Sequence, residues 1–232
     1  LAAEGADVVL AGRREEPLEI LAEEIRSGGP RAVVVTTDVS VEAQVKALFV
    51  RALEECGRVD VLINAAAGPG DEVNVANMEL DTWQAMLDTV LTGTMLCTRE
   101  CLTRSMLSRR AGAIVNISSG AGRHGLSGKS HLSAAKAGVL QFSEAVAREV
   151  GPQGIRVNCI VPGVVSTERV EEYYHRIAAA RGLNYDRIVE EISRGAAQSR
   201  HVSTAEVAQA VVFLTTDQAS GITAQTLEVG GV

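Results

Sequence analysis

The 232-residue chain has no run of 18 or more apolar residues, so no conventional membrane-spanning helix is expected. It shows no basic-then-apolar leader, so no signal peptide is visible. It has no basic excess either. Its 22 Lys and Arg stand against 29 Asp and Glu, for a net charge of −7, and this balance does not suggest a nucleic-acid surface. It contains no C-x-x-C pair: Cys56, Cys97, Cys101 and Cys159 are spread along the chain. Cys97 and Cys101 share a helical face at i,i+4, but no His or carboxylate cluster completes a metal site with them. Free thiols in a reducing cytoplasm are the expectation. No internal repeat, low-complexity segment or Pro/Gly/Ser-rich linker divides the sequence, which is long enough for one large buried core.

What is present is an alternation. Residues 7–11, 32–36, 59–63, 113–118, 155–161 and 226–229 are short, nearly continuous apolar runs, as expected of strands covered on both faces. Helical patterns lie between them, at roughly 15–27, 41–56, 80–109, 131–150, 168–194 and 204–216. In the third of these, Trp83, Met86, Leu87, Val90 and Leu91 repeat with a 3.6-residue period. Strand–helix alternation predicts an α/β fold: a doubly wound, Rossmann-type parallel sheet flanked by helices, as a single domain over 1–232.

Such a fold is expected to open with a strand and a glycine-rich turn whose N–H groups cradle a pyrophosphate. The sequence instead begins "LAAEGADVVLAGRR", which reads as a helix end, a Gly5 cap and a strand. "GPG" at 68–70 lacks the required form. "GAGRHG" at 120–125 fits G-x-G-x-x-G only superficially and reads as a loop. The first strand and its turn are therefore expected to be missing from this chain, leaving a gap at the centre of the sheet.

Five segments carry a resemblance to the short-chain dehydrogenase/reductase family over essentially the whole length. They are "INAAAG" (63–68), "IVNISS" (114–119), "SAAKAG" (133–138), "GIRVNCIVPGVVST" (154–167) and "SGITAQTLEVGG" (220–231). Ser119 precedes Lys136 by 17 places, which is the family's serine–lysine interval. The resemblance implies an NAD(P)(H)-dependent oxidoreductase with Ser119 and Lys136 as catalytic-site residues. It implies a cofactor site from Asp38 and Val39 (against adenine), Asn64, Ala65 and Gly68 (a small-residue turn), Lys136 (the nicotinamide ribose), and Pro162, Gly163, Val165 and Thr167 (around the carboxamide). A turn or cap role for Asp38 and a helix cap at Thr167 are the alternatives. Arg13 and Arg14 follow the second strand of the family pattern, where an acid would favour NAD. They suit a 2′-phosphate and so favour NADP(H) over NAD(H), a solvated pair being the alternative. The resemblance also implies a substrate lid over 168–202 and a homodimer or homotetramer through helices 80–109 and 131–150, with small-molecule substrates, no membrane and no metal.

The active site departs from the pattern. Where the family has the tyrosine of Tyr-x-x-x-Lys, this chain has Leu132, and Val90 stands where the family has an asparagine. Neither side chain exchanges protons. His131 is adjacent and imidazole is a common proton-transfer group, but helix neighbours point about 100° apart, so a surface histidine at a helix start is the plainer reading. Tyr173, Tyr174 and Tyr185 are lid tyrosines by position. Three functions remain open: a small-carbonyl, hydroxyl or acyl-thioester oxidoreductase with a divergent site, an inactive relative kept for nucleotide sensing or assembly, and an enoyl- or dienoyl-thioester reductase.

Overall fold

The computed structural model describes residues 1–68 and 72–231, so most of "GPG" lies outside the described residues. Six strands form: β1 (Val8–Gly12), β2 (Ala32–Thr36), β3 (Val61–Asn64), β4 (Gly112–Ile117), β5 (Ile155–Pro162) and β6 (Thr226–Val229). Each falls within one or two residues of an apolar run in the sequence. Every pairing is parallel, with β1 on β2 and, separately, the order β3-β4-β5-β6.

Among the described residues, the longer helices that connect them are α1 (Glu15–Ser27), α2 (Glu42–Cys56), α3 (over 80–109), α4 (Ser130–Val150), α5 (Glu168–Arg181), α6 (Tyr185–Ser193) and α7 (Thr204–Thr215). α3 is not uniform: wider π-type turns run over Asp88–Thr92 and Leu102–Met106. In the first of these, the Thr94 hydroxyl donates to the carbonyl of Val90 at 2.7 Å. π-type turns inside α-helices often mark functional positions.

Two apolar clusters clothe the larger sheet. On one side Val45, Leu48 and Phe49 of α2 meet Leu96 and Cys101 of α3, Val146 of α4 and Ile114 of β4. A second cluster joins Val115 of β4 and Ile160 of β5 to Leu214 of α7. The continuous apolar character of the strands follows from this double cover. Burial raises the thiols of Cys97 and Cys101, to about 11 and about 12.

One expectation needs correction. The pattern at 168–194 is two helices rather than one. Gly182, at φ 63°, takes the left-handed conformation and ends α5, and Asn184 then opens α6 by accepting from the Arg187 N–H at 2.8 Å. The apolar period runs through this break and masks it. The helices implied as oligomer contacts expose little apolar surface: Leu80 and Leu107 in α3, and no large hydrophobic residue among those described in α4.

Between β1 and β3 lies a cavity of about 1050 Å3, lined by both strands and by Leu48, Phe49, Ala52 and Cys56 of α2. Among the described residues, neither of the strand edges facing it pairs with another strand.

The turn before β5 is sterically committed. Gly154 has φ +76°, and a Cβ there would lie 2.6 Å from the Arg110 carbonyl oxygen. Gly151, three residues earlier, is right-handed and has open space. Gly154→Ala is expected to lower unfolding free energy by about 1–3 kcal/mol. Gly151→Ala should stay within about 1 kcal/mol of the parent. Urea-denaturation midpoints of the two variants check the contrast.

Candidate active site

The carbonyl ends of the parallel strands set the site. At that end of the cavity, Gly12 and Arg13 at the end of β1, Thr37, Asp38 and Val39 after β2, and Asn64, Ala65, Ala66 and Ala67 from the end of β3 onward line a common wall with Thr89 and Gly93 of α3. Of the expected cofactor residues, this brings together Arg13, Asp38, Val39, Asn64 and Ala65. Arg14 is exposed at the start of α1 and does not line the cavity. Gly93 was not singled out from sequence. A Cβ at that position would come within 2.7 Å of Val39 Cγ2, so glycine is what lets the 37–39 turn approach α3. Gly68 is tight for a similar reason: a Cβ would meet Met86 Sδ at 2.6 Å.

Asp38 is also a turn residue. Its Oδ1 accepts from the Ser40 hydroxyl at 2.6 Å and the Ser40 N–H at 3.0 Å, and these bonds hold its carboxyl below the usual range. Asn64 is more than a turn former. Its Nδ2 donates to Asn116 Oδ1 at 2.8 Å, and Asn116 Nδ2 donates to Ser143 Oγ of α4 at 2.8 Å. A buried polar chain thus crosses from β3 through β4 to α4. Asn116 is the one polar side chain within the apolar run of β4, and that is the signal by which the chain was legible.

Ser119 and Lys136 come to the carbonyl end of β4. Ser119 is extended, φ −164°, and its Oγ is buried without a hydrogen-bond partner. Lys136 is buried, and its Nζ donates to the carbonyl of Ile117 at 2.7 Å. Desolvation pushes its ammonium down to about 8. The neighbouring Cys159 thiol is pushed up by burial to about 11. Gly122 is required here, since a Cβ would lie 2.8 Å from the backbone of Lys136 and from Ser118 Oγ. Ser118 in turn donates to the Lys136 carbonyl at 2.9 Å.

Leu132, one helical turn before Lys136, packs with Met86, Val90, Ala135, Val139 and Cys159 in a single apolar cluster. The two unusual positions are therefore in one patch. His131 corrects the expectation of a surface residue. It is 1% exposed, and its Nδ1 is buried without a partner, because the first turn of α4 is covered. Ser130 Oγ is similarly unpartnered.

Beyond β5, Gly163 donates its N–H to the Val229 carbonyl at 2.8 Å. Val165 forms a parallel bridge with Val202 through the Val164 carbonyl and the Ser166 N–H, which points its own N–H and C=O the other way. Thr167 caps α5, its Oγ1 accepting from the Val170 N–H at 3.3 Å. Pro162 closes β5 in register with Val229.

α5 and α6 lie in the 168–202 region, and its tyrosines are engaged by neighbouring side chains. The Tyr174 hydroxyl lies 3.2 Å from His201 Nε2, and its ring packs beside Tyr185. Tyr173 donates to Glu72 Oε1 at 2.6 Å, and Lys129 Nζ lies 3.4 Å from the same oxygen and 4.8 Å above the Tyr173 ring. This latch joins α5 to the segment after β3 and to the loop before α4.

The family described as "Enoyl-(Acyl carrier protein) reductase" matches residues 1–231. Short-chain reductase protein NovJ of Streptomyces niveus is 35% identical over 231 residues, covering 100% of this chain and 86% of that protein. A 3-oxoacyl-[acyl-carrier-protein] reductase of Synechocystis sp. is 35% identical over 233 residues, covering 100% and 88%. Among solved structures, a variant of actinorhodin polyketide ketoreductase with NADPH superposes with a TM-score of 0.93 at 33% identity, covering 100% of this chain and 88% of that one.

The Tyr174–His201 contact carries a pH dependence. Burial holds the His201 imidazole below its ordinary value. His201 released from this packing therefore binds a proton more readily than His201 held in it. The packed arrangement is fully supported above about pH 6.5 and weakens as pH falls through the depressed value. Amide exchange within α5, corrected for intrinsic rates, is expected to lose protection between pH 7.5 and 5.5. His201→Asn should flatten that change.

Proposed function

Because the chain belongs to the short-chain dehydrogenase/reductase family, we propose that it is a nicotinamide-dependent oxidoreductase with a divergent active site, using NADP(H) in preference to NAD(H). Its substrate class is a small carbonyl or hydroxyl compound or an acyl thioester. The observation that carries this reading is the buried Lys136 ammonium against the end of β4, two residues from the unpartnered hydroxyl of Ser119. A pure scaffold gains nothing from burying a charge without a carboxylate partner, which is costly. The names of two relatives, a 3-oxoacyl-[acyl-carrier-protein] reductase and a polyketide ketoreductase, support the acyl-thioester class.

The residues fit a dinucleotide. Arg13 lines the cavity end beside Asp38, suited to a 2′-phosphate. The small side chains at 65–67 let a ligand approach the backbone, and Lys136 retains two N–H donors beyond its bond to Ile117. When bound, the cofactor supplies or accepts a hydride. Ser119 orients the substrate oxygen by donating its hydrogen, and Leu132 with Val90 keeps water from that side.

A second reading, nucleotide sensing without turnover, is favoured by the same apolar pair, which removes the family's proton donor from position 132. Enoyl-thioester reduction shares the first reading's machinery.

Fluorescence titration with NADPH and NADH tests these. Tighter binding of NADPH is expected. Arg13→Ala should weaken NADPH about tenfold or more and leave NADH within about twofold, as for loss of a charge-assisted hydrogen bond. A wild-type chain that binds neither nucleotide rules out both the oxidoreductase and the sensing readings.

A further inference from the structure

The slot between β1 and β3 runs well beyond the candidate active site, and its edges have a definite hydrogen-bonding phase. The Val8 N–H donates to the Arg31 carbonyl at 2.9 Å, and the Thr37 N–H donates to the Gly12 carbonyl at 2.8 Å. In a parallel ladder a residue turns both backbone groups to one neighbour, and the next residue turns them away. Val8, Leu10 and Gly12 therefore face β2, while Val9 and Ala11 face the slot. On the other side the Ala113 N–H donates to the Asp60 carbonyl at 3.0 Å. Leu62 and Asn64 therefore face β4, while Val61 and Ile63 face the slot. All four slot-facing residues line the cavity. Their N–H and C=O groups find no backbone partner among the described residues.

The lining says what fits. Leu48, Phe49 and Ala52 of α2 and Cys97 of α3 make its middle apolar. Its charged residues sit at the two ends. Asp7, Arg58 and Asp60 precede the strands, and Arg13 and Asp38 lie at the carbonyl end. Backbone groups aimed into an apolar space are costly unless they are paired. Another extended backbone pairs them, because it presents N–H and C=O groups alternately to its two sides. The five residues Val8–Gly12 set its length, about 17 Å at about 3.3 Å per residue.

We propose that this slot is a binding site for an extended apolar peptide segment, about five residues long, held as a strand between β1 and β3. Residues of one parity bond Val9 and Ala11, and those of the other parity bond Val61 and Ile63. Side chains turned toward α2 and α3 are apolar, and polar residues flank the segment at the charged ends. A separate polypeptide supplies it. A second copy of this chain does not, because the slot needs a strand with both edges free. Each described strand of a copy already has an edge paired. The slot opens at its carbonyl end onto the Arg13, Asp38 and Asn64 wall, but pairing in it needs no nucleotide.

The probe is a capped heptapeptide with a Val-Ile-Val-Ile-Val core between two lysines. Amide exchange in the 15N-labelled 232-residue chain reads its binding. Without peptide, the amides of Val9, Ala11, Val61 and Ile63 should exchange faster than those of Leu10 and Leu62. Peptide should bind saturably, one per chain, and slow those four about tenfold or more. Leu10 and Leu62 should change little. N-methylating the core residues of one parity removes the donors to one edge and should weaken binding about tenfold or more. Ala11→Pro removes a slot-facing N–H and none that serves β2. That chain should fold and bind the peptide about tenfold more weakly or worse. The N-methylated peptides carry the test if the variant does not fold. Absence of saturable binding overturns the proposal. Equal affinity for parent and N-methylated peptides does so too, as does binding that leaves the four amides unprotected. Protection of those amides without peptide also overturns it. If that protection rises with chain concentration, a second copy fills the slot. If it is independent of concentration, the slot closes on itself.

Discussion

Asn116 ties the molecule together at its working end. One amide accepts from Asn64 on β3 and donates to Ser143 on α4, from a position with no solvent exposure. It stands in register with Asn64 on one side and Cys159 on the other, so the three strand ends are level at this row. Everything assigned to the site hangs from the residues just beyond: the Ile117 carbonyl that holds Lys136, Ser118 that grips the α4 backbone, and Ser119. Truncating this buried amide removes one bond from each partner, while Asn64 keeps Thr98 Oγ1 and Ser143 keeps the Val139 carbonyl. The position of the helix that carries Lys136 is thus enforced by polar contacts as well as by the apolar packing around Ile114 and Val146.

The fold was legible because parallel strands buried on both faces are written as uninterrupted apolar runs, and the helices between them keep a 3.6-residue period. Where two helices share one period, as across Gly182, the pattern alone does not separate them. The glycine and Asn184 did carry the stop and start. The resemblance to a family pattern singled out Ser119 and Lys136, and the fold brings both to the carbonyl end of β4. Contacts between distant segments were not legible. Nothing local to Leu132 reveals Val90 as its neighbour. His131 was misplaced because helix starts are usually exposed, and the cover over α4 comes from other parts of the chain. Gly93 was missed for the same reason: its constraint is Val39, far away in sequence.

α5 and the segment after β3 meet in the latch around Glu72. Its carboxylate takes the Tyr173 hydroxyl and Lys129 together, and these bonds hold it below the usual carboxylate range. Residues 65–67 of that segment line the cavity, and the Lys129 loop leads directly into the helix bearing Lys136. A movement of α5 that breaks the Tyr173 contact therefore loosens both neighbours at once. Surface ion pairs alone are weak. The aromatic ring between Lys129 and Arg176 adds cation–π attraction at 4.8 and 5.4 Å.

The apolar cluster around Leu132 makes the departure from the family pattern hard to reverse one residue at a time. A phenol introduced at 132 would emerge among Met86, Val90 and Val139, where desolvation raises its pKa and no asparagine amide is at hand. An asparagine introduced at 90, a position 1% exposed, would bury an amide facing methyl groups. Either substitution alone meets a surface shaped by the other residue.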